Sequence, residues 1–210
     1  MRGPRTRLVL VRHGQTDFNR EGRLQGQVDI PLNDTGIRQA ESLVPLVAEN
    51  PPDVLVASPL ERALETARLM SRGSDVEVTT DAAFLERGFG QWEGLRGEEI
   101  RLRWPAEHAD WRAHRPVLGL DVEDRPEGGE RVAAAGRALV AAHVGGTVMV
   151  VAHGAAITLG ITALLGLDTN DFRGIAGLEN CHRSVLEPLT GESANGLMRL
   201  VSHNLAPDFL

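Results

Sequence analysis

The sequence predicts an α/β fold, with a mainly parallel sheet covered by helices on both faces and a small helical insertion over the site. Short apolar runs, typical of buried parallel strands, alternate along the chain with longer segments of helical spacing. Two of these runs, residues 8–11 and 147–152, lead into the histidine-glycine pairs at His13 and His153. Ligands of open α/β sheets bind beyond the carboxyl ends of the strands, so we expect both histidines at one edge.

The first strand is followed by a loop and a long helical segment. Residues 15–33 are mostly polar and predict the loop. Residues 35–49 carry apolar side chains at helical spacing, and Asp34 or Thr35 is expected to cap the start of this helix.

A second short strand is predicted at residues 54–57. Ser58 follows as a capping residue and Pro59 as the first helical position. This places Arg62 in the first turn of the next helix, again beyond the end of a strand. A weaker strand is predicted at residues 76–79.

The second half of the chain repeats the alternation. Residues 130–143 predict an alanine-rich helix before the strand at 147–152, and the apolar residues 155–165 predict another helix. The pair Gly128-Gly129 fits a glycine turn at least as well as a substrate contact.

Residues 92–129 break this pattern. They hold all three tryptophans and several arginines but little periodicity, and we interpret them as a helical insertion over the site. A surface excursion anchored by the tryptophans fits them equally well. The chain has 210 residues, 42% of them apolar, which suits one domain over residues 1–210 that includes this insertion.

Composition excludes several classes of function. The net charge is −7, which argues against a nucleic-acid partner but permits an anionic substrate in a local arginine cluster. There is no lysine for a Schiff base or a Walker-type phosphate loop. Cys181 is the single cysteine, so an intramolecular disulfide and a multi-cysteine zinc site are excluded. Glu187 stands where a thiol phosphatase would need an arginine.

No membrane partner and no targeting segment are expected. The stretch 147–167 is long enough for a membrane span, but His153, Gly154 and Gly160 interrupt it, so a strand, a turn and a buried helix explain it better. A single cysteine fits a reducing compartment, and we expect a cytoplasmic protein. The sequence leaves a homodimer open.

Two histidines and two arginines at one sheet edge suit a phosphoryl group. Planar guanidinium groups and imidazole donors match its charges and peripheral oxygens. A neutral histidine can attack phosphorus in line, provided that a backbone carbonyl holds the proton on its other ring nitrogen. His13, His153, Arg12 and Arg62 are therefore candidates for phosphoryl chemistry without a metal.

These residues belong to an ordered series that resembles the histidine phosphatase superfamily, in its phosphoglycerate mutase-like branch. The series spans nearly the whole chain from Leu8 to Leu165. Its segments are Arg12-His13-Gly14-Gln15-Thr16 with Asn19, Leu24-Gln25-Gly26, Pro31-Leu32, Thr35-Gly36, Ser58-Pro59-Leu60 with Arg62-Ala63 and Thr66-Ala67, Leu85-Glu86, Gly90, Trp92-Glu93-Gly94, and Val151-Ala152-His153-Gly154.

The resemblance implies a role for each matched residue. His13 is implied as the nucleophile that forms a phosphohistidine, and Glu86 as the general acid that protonates the leaving oxygen and then activates water. Glu86 would not be chosen without the resemblance, because Glu93 lies nearby. His153 completes the implied catalytic set. The implied substrate-binding residues are Arg12, Asn19, Gln25, Gly26, Arg62 and Gly154.

Taken singly, these residues have ordinary structural explanations. A strand-end histidine is often a satisfied buried polar group, Arg62 alone fits an exposed helix position, and Asn19 and Gln25 fit a turn. Their joint occurrence in the family's order favours the functional explanation. Outside the series, we expect Cys181 to be a packing residue and His182 and His203 to be structural or exposed.

The sequence thus predicts a phosphatase that needs no metal or cofactor and acts on a small phosphorylated metabolite. A phosphoglycerate mutase is the alternative within enzymes, and a non-catalytic phospho-ligand binding protein is the alternative of another class. A compact insertion and a short tail at residues 205–210 favour hydrolysis over mutase activity. The first half most resembles actinobacterial members that act on phosphorylated glycerates or their glucosyl derivatives. Candidates for binding a substrate carboxylate are Arg23, Arg87, Arg96, Arg101 and Arg103.

Overall fold

A computed structural model describes residues 5–191 and 194–207. Strands and helices alternate through most of this part of the chain. The strands are β1 (Arg7–Arg12), β2 (Val54–Ala57), β3 (Val78–Thr80), β4 (Thr147–Ala152), β5 (Arg183–Pro188) and β6 (Met198–Leu205). The helices are α1 (Asp17–Glu21), α2 (Asp34–Glu41), α3 (Val44–Glu49), α4 (Glu61–Met70), α5 (Gly97–Arg103), α6 (Pro105–Arg112), α7 (Arg125–Ala142) and α8 (Gly154–Leu164).

The strands form one sheet in the order β3-β2-β4-β1-β5-β6. The first four strands of this order are parallel, whereas β5 pairs antiparallel with both β1 and β6. β1 and β4 are neighbours, with Arg12 opposite Ala152 at their carboxyl ends. This pairing brings the residues that follow the two strands to the same edge, as the sequence predicts.

Helices cover both faces of the sheet, which confirms the predicted fold class. Side chains alternate along β1, so Leu8 and Leu10 pack with α7 and α8, whereas Val9 and Val11 pack with α2, α3 and α4. All four of these side chains are buried. Burial on both faces explains why the parallel strands have continuous apolar sequences.

A third, smaller core lies in the insertion. Its buried members include Trp92 and Ile100 of the insertion and Phe89 just before it, and Trp111 packs edge-on against Trp92 with ring centroids 5.9 Å apart. The helices α5 and α6 belong to this region, so the structure agrees with the helical interpretation. Ala155 at the start of α8 packs against the same core, which ties the insertion to the strand-end edge.

The predicted helix at residues 35–49 is two helices, α2 and α3. Pro45 is in the first turn of α3 and has no N–H to donate to the carbonyl of Glu41, so the helical hydrogen bonds are interrupted there. The predicted cap is also wrong. Asn33, and neither Asp34 nor Thr35, caps α2, because its side chain accepts from the N–H of Gly36 at 2.9 Å.

The prediction for the helix after β2 is partly wrong. α4 begins at Glu61, so Pro59 lies outside it and the N-cap is Leu60. Ser58 is therefore not the N-cap. Its hydroxyl oxygen lies 2.8 Å from His153 Nε2. Arg62 is in the first turn, as predicted. The short strand β3 covers residues 78–80, slightly later than the predicted 76–79.

α7 begins earlier than predicted. Its first residue is Arg125, so the helix starts inside the stretch 92–129 interpreted as the insertion. Gly128 and Gly129 are helical rather than a turn. A Cβ atom on Gly129 would lie 2.9 Å from Thr169 Cγ2 and 3.1 Å from the carbonyl oxygen of Leu159, so close packing against α8 explains this glycine.

Residues after 165 contain elements that the sequence does not predict. β5 and β6 extend the sheet on the β1 side. The tail assigned to residues 205–210 overlaps the end of β6, and positions 208–210 lie outside the described residues. In the part of the chain that the structure describes, no helix has both the length and the apolar character needed to cross a membrane.

Candidate active site

His13 follows β1 and is buried, with 1% of its surface exposed. Its N–H donates to the carbonyl oxygen of Ala152, which fixes it against the end of β4. Ring nitrogen Nδ1 lies 2.7 Å from the carbonyl oxygen of Gly14 and must donate to it. Burial, followed by the nearby charges of Arg62 and Arg12, holds the pKa of His13 well below 6.5. The ring is therefore neutral at pH 7, with an unprotonated Nε2.

The glycine after His13 permits a close approach between two loops. The N–H of Gly14 donates to Thr66 Oγ1 at 3.0 Å. A Cβ atom on Gly14 would lie 2.5 Å from the carbonyl oxygen of Gly36, and one on Gly36 would lie 2.1 Å from that of Gln15. The first turn of α2 is thus pressed against the loop that carries His13.

His153 follows β4, and its ring centroid is 5.1 Å from that of His13. Its Nε2 lies 2.8 Å from Ser58 Oγ, and its Nδ1 accepts from Arg62 Nε at 3.2 Å. Because Arg62 can only donate, the proton of the neutral ring is on Nε2 and is donated to Ser58. Burial, followed by the charge of Arg62, holds the pKa of His153 well below 6.5.

Arg62 is fully buried near the start of α4. Besides contacting His153, it donates from Nη2 to the carbonyl oxygen of Gly26 at 2.7 Å and from Nη1 to that of Val28 at 2.8 Å. Its partners include no carboxylate among the described residues. The guanidinium therefore brings positive charge to the site without a direct carboxylate partner among the described residues, and it fixes the loop at residues 26–28.

Arg12 is the last residue of β1, and its guanidinium lies beside Gly154. A Cβ atom on Gly154 would be 3.5 Å from Arg12 Nε. Arg12 Nη1 donates to the carbonyl oxygen of Leu178 at 2.5 Å, whereas the buried Nε has no partner among the described residues. Burial lowers the pKa of Arg12. Gly154 begins α8, so a helix N-terminus faces this guanidinium.

Glu86 sits at the N-terminus of α8. Oε1 accepts from the N–H groups of Arg87 and Ala156, both at 2.8 Å, and Oε2 accepts from that of Ala155 at 3.2 Å. The carboxyl group thereby satisfies helix N–H groups that would otherwise lack partners. It is mostly buried, one turn of helix backbone away from His153.

Glu93, the nearby alternative, performs a different task. Its Oε1 accepts from the N–H groups of Gln27 and Phe89, both at 3.0 Å. A Cβ atom on Gly26 would lie 2.0 Å from this oxygen, and Gly26 has a left-handed φ of 54°. Glu93 thus joins the loop at residues 26–27 to the insertion, and a side chain at position 26 would displace the Glu93 carboxylate and strain the backbone.

Asn19 and Gln25 belong to a polar network beside His13. Asn19 Oδ1 accepts from the N–H of Thr16 at 3.1 Å, and Thr16 Oγ1 donates to Gln25 Oε1 at 2.7 Å. Asn180 Nδ2 lies 2.9 Å from the carbonyl oxygen of His13 and 3.3 Å from Asn19 Oδ1. These contacts occupy the amide oxygens of Asn19 and Gln25 and leave their amide N–H groups as donors.

The structure brings all nine predicted site residues into one connected cluster. Three further members were not predicted as site residues: Ser58, Thr66 and Asn180. Ser58 and Thr66 occur in the motif series, but nothing local in the sequence shows that their hydroxyls bond to His153 and to the loop of His13. Asn180 carries no sequence signal, since it lies 167 positions from its partner.

The residues expected to be structural have structural surroundings. Cys181 is buried, and its N–H donates to the carbonyl oxygen of Arg12 at 3.0 Å. Burial raises the pKa of its thiol to about 12. His182 Nδ1 lies 3.0 Å from Asn204 Oδ1, and His203 Nε2 donates to the carbonyl oxygen of Ala176 at 2.8 Å.

Of the five arginines considered for a substrate carboxylate, Arg87 lies next to Glu86. Arg23 is paired with Glu21 at 2.7 Å and lies 3.7 Å from Glu99. No group of three or more histidine, cysteine, aspartate or glutamate side chains suited to a metal ion occurs among the described residues. Independence of metal ions stays a prediction.

Comparison with known proteins assigns the family. The model of the histidine phosphatase superfamily (branch 1) matches residues 8–199. The chain belongs to the histidine phosphatase superfamily. A glucosyl-3-phosphoglycerate phosphatase of Mycolicibacterium vanbaalenii is 35% identical over 188 residues, which cover 83% of this chain and 80% of that protein. Phosphoserine phosphatase 1 of Hydrogenobacter thermophilus is 29% identical over 187 residues, covering 86% of this chain and 85% of that protein.

Solved structures of the superfamily share the fold. A mycobacterial glucosyl-3-phosphoglycerate phosphatase in complex with VO3 superposes with a TM-score of 0.84 at 30% identity, and the match covers 95% of this chain and 99% of that one. The predicted family and fold are confirmed. Within this superfamily, the relatives named above are phosphatases, and the chain is a phosphomonoesterase.

Proposed function

We propose that the chain hydrolyses a small phosphomonoester through a phosphohistidine on His13. The observation that carries this proposal is the 2.7 Å contact between His13 Nδ1 and the carbonyl oxygen of Gly14. It keeps the ring proton on Nδ1 and leaves Nε2 with a free electron pair. A buried neutral imidazole between two arginines is suited to attack a phosphorus atom that those arginines hold.

The phosphoryl group is bound by charge and by directed N–H donors. Arg12 offers a buried Nε without a partner among the described residues, and Arg62 offers the positive charge of a buried guanidinium. The amide N–H groups of Asn19 and the N-terminus of α8 at Gly154 add further donors, and His153 holds Arg62 in place by accepting from its Nε. Phosphoryl transfer depends mainly on such positioning and charge stabilisation, so these groups supply the positive charge that a metal ion provides in other enzymes.

Glu86 moves the protons. His13 Nε2 forms a bond to phosphorus while the bond from phosphorus to the alcohol oxygen breaks, and Glu86 gives that oxygen its proton. Oε2 is the oxygen suited to carry this proton, because it accepts only the longer hydrogen bond, at 3.2 Å. Glu86 then takes a proton from water as the water attacks phosphorus, and the electron pair of the broken nitrogen–phosphorus bond returns to Nε2.

The proposed substrates are phosphorylated glycerates or sugar-acid phosphates. Support comes from the names of similar proteins, which include glucosyl-3-phosphoglycerate phosphatases at 34–35% identity. Location in the cytoplasm and self-association as a homodimer stay predictions.

Rapid quenching tests the covalent step. Wild-type protein mixed with a labelled aryl phosphate should hold acid-labile, base-stable phosphate on His13, and His13→Ala should hold none and lose turnover. His143→Ala, at the end of α7, is the matched control and should behave as the wild type. A His13→Ala variant with near wild-type turnover would exclude the proposal.

Product analysis separates hydrolysis from mutase activity. With 3-phosphoglycerate and priming 2,3-bisphosphoglycerate, we expect release of free phosphate and little 2-phosphoglycerate. Faster formation of 2-phosphoglycerate would establish the mutase alternative.

The same assay with a chelator tests metal independence. Phosphate release should proceed at the same rate, and a loss of activity that added metal restores would contradict metal independence.

A further inference from the structure

A mostly buried ion pair connects α7 to the segment that carries Glu86. Arg131 lies in α7, and its Nε and Nη2 donate to the carboxylate of Glu123 at 2.9–3.0 Å. The two side chains are 24% and 15% exposed. A Cβ atom on Gly128 would lie 3.3 Å from the carboxyl carbon of Glu123, so the glycine leaves room for this carboxylate. The pair therefore packs tightly against the first turn of α7.

Arg131 holds the backbone directly before Glu86. Its Nη1 donates to the carbonyl oxygen of Ala83 at 2.9 Å and to that of Leu85 at 3.0 Å. These carbonyl groups lie at the end of the 3₁₀ turn Ala82–Phe84, where a helical segment leaves carbonyl groups without partners of its own. The carbonyl of Leu85 belongs to the peptide bond that leads into Glu86. Its orientation therefore sets the direction in which the chain enters Glu86.

Glu123 holds the backbone directly after Glu86. Its Oε2 accepts from the N–H of Gly88 at 3.0 Å, and its own N–H donates to the carbonyl oxygen of Gly88 at 2.9 Å. Its carbonyl oxygen accepts from Arg87 Nε at 2.7 Å. The two members of the ion pair together fix the chain on both sides of Glu86.

The contacts of the pair serve the protein rather than a ligand. All three guanidinium nitrogens of Arg131 donate to protein groups, and both carboxylate oxygens of Glu123 accept from protein N–H groups. The Glu86 carboxylate, in contrast, must keep one orientation, because its Oε2 has to face the leaving oxygen while Oε1 accepts two hydrogen bonds at 2.8 Å. A misplacement of about 1 Å can remove most of the effect of such a group.

We propose that Arg131 and Glu123 are positioning residues for the general acid, and that they hold residues 83–88 so that Glu86 reaches the leaving oxygen. The proposal rests on the proposed function, in which Glu86 protonates that oxygen. A leaving group that is a strong enough acid can depart as its anion, so it depends less on this proton. Loss of the pair should therefore slow the hydrolysis of esters with weakly acidic leaving groups the most.

Two aryl esters test this role. Phenyl phosphate and 4-nitrophenyl phosphate share the same ring, but 4-nitrophenol is the stronger acid. The measured quantity is kcat/KM for 4-nitrophenyl phosphate divided by kcat/KM for phenyl phosphate, a ratio that does not depend on the fraction of folded enzyme. Arg131→Gln should raise this ratio about tenfold, because a misplaced acid mainly slows the poorer leaving group. Arg131→Lys, which keeps the charge, should raise it less.

Two further variants show whether the pair acts through Glu86. Arg137→Gln is the matched control, because Arg137 lies in the same helix, is similarly exposed and pairs with Glu130; it should keep the wild-type ratio. Glu86→Gln should raise the ratio at least as much as Arg131→Gln. Adding Arg131→Gln to Glu86→Gln should raise it no further, and a further rise would overturn the proposal.

The outcomes distinguish this proposal from the proposed function. If the wild type hydrolyses neither ester, or Glu86→Gln leaves the ratio unchanged, the proposed function fails in its activity or in its acid. If Glu86→Gln raises the ratio but a folded Arg131→Gln protein slows both esters equally, the pair is only structural and this proposal alone is wrong. Thermal unfolding checks the fold of each variant. If Arg131→Gln does not fold, Glu123→Gln decides by the same ratio, and an unchanged ratio overturns the proposal.

Discussion

At the scale of single residues, two neighbouring glutamates show how position determines the task of a carboxylate. Glu86 accepts hydrogen bonds at the start of α8, beside the proposed leaving group. Glu93 accepts from two loop N–H groups with a single oxygen, Oε1. A glutamine keeps an acceptor oxygen but cannot transfer a proton, so this substitution separates the two tasks.

We expect Glu86→Gln to lower kcat about 100-fold or more with a small change in KM, since general acid–base catalysis contributes about 10²–10⁴ in rate. Glu93→Gln should keep most of its turnover, because the glutamine oxygen can still accept from Gln27 and Phe89. Steady-state kinetics with an ester of a poor leaving group checks both variants. A greater loss of kcat in Glu93→Gln would show that the acid is misassigned.

Asn180 is a positioning residue, because its side-chain amide joins the backbone of His13 to Asn19. Asn180→Asp replaces the donating amide with a second acceptor and adds negative charge near the phosphoryl site. We expect KM to rise about tenfold or more, because the added negative charge opposes the binding of an anionic phosphate group by at least ~1.4 kcal/mol. Asn180→Ala should raise KM less. Equal KM values for the two variants and the wild type would contradict this role. The same assay gives kcat, which separates an effect on turnover from an effect on substrate binding.

The residue-level predictions succeed where the strand ends determine the position. Arg12, His13 and His153 directly follow or end strands, so the parallel pairing of β1 and β4 alone brings them together. Glu86 follows a 3₁₀ turn, and its place at α8 depends on tertiary packing, so it required the family resemblance. Ser58 has the right residue type for a cap, but its hydroxyl lies 2.8 Å from His153 Nε2.

At the scale of elements, the loop after β1 is fixed by backbone packed directly against backbone. The contact between the loop and the first turn of α2 has no room for a Cβ atom on Gly36, which would lie 2.1 Å from the carbonyl oxygen of Gln15. Backbone atoms cannot move aside as the end of a flexible side chain can. The position of α2 therefore determines the conformation of the loop that carries His13.

We expect Gly36→Ala to lower the free energy of unfolding by about 1–3 kcal/mol, the range for overpacked sites, and to reduce kcat because the His13 loop shifts. Gly97→Ala is the matched control. Gly97 begins α5, and a Cβ atom on it has no heavy atom within 4 Å, so alanine fits there. Urea unfolding measures both variants, and a Gly36→Ala protein as stable as the wild type would show that the contact is loose.

Element boundaries were less predictable than elements because tertiary contacts set them. Helical spacing continues through residues 35–49, yet Pro45 divides the segment. Gly128 and Gly129 have turn composition but are helical where α7 packs against α8. The sequence does not predict β5, because the strand contains Arg183 and Glu187, and charged residues are rare in buried strands. In the structure, Arg199 pairs with Glu187 at 2.7 Å, and this ion pair compensates for the burial of the Glu187 carboxylate.

At the scale of the whole molecule, net charge and site charge have opposite signs. The chain carries −7, whereas Arg12 and Arg62 bring positive charge to the proposed phosphoryl site around His13. Because counter-ions screen exposed charges, the acidic surface does not prevent a buried arginine cluster from binding an anion. The composition of the whole chain argues against a nucleic-acid partner, whereas the local arginine cluster determines that the ligand of the site is an anion.

The two buried imidazoles also link stability to pH. Burial and neighbouring arginines hold the pKa values of His13 and His153 well below 6.5 in the folded chain. In the unfolded chain both rings regain an ordinary pKa near 6.5. Below that pH the unfolded state binds more protons than the folded state, so the free energy of unfolding falls as the pH falls. Above pH 6.5 both states are neutral at these rings, and their contribution is constant.

We therefore expect the free energy of unfolding to decrease below pH 6.5 by up to about 1.4 kcal/mol per pH unit for each of the two histidines. Urea unfolding between pH 8 and pH 5 measures this slope, and the window stays above the range where most carboxylates titrate. His13→Asn and His153→Asn each remove one titrating ring, so each should lose about half of the slope that the two rings contribute, whereas His143→Asn should leave it unchanged. If His13→Asn and His153→Asn keep the wild-type slope, the two rings titrate alike in the folded and unfolded chains, and a His13 that stays neutral below pH 6.5 is excluded.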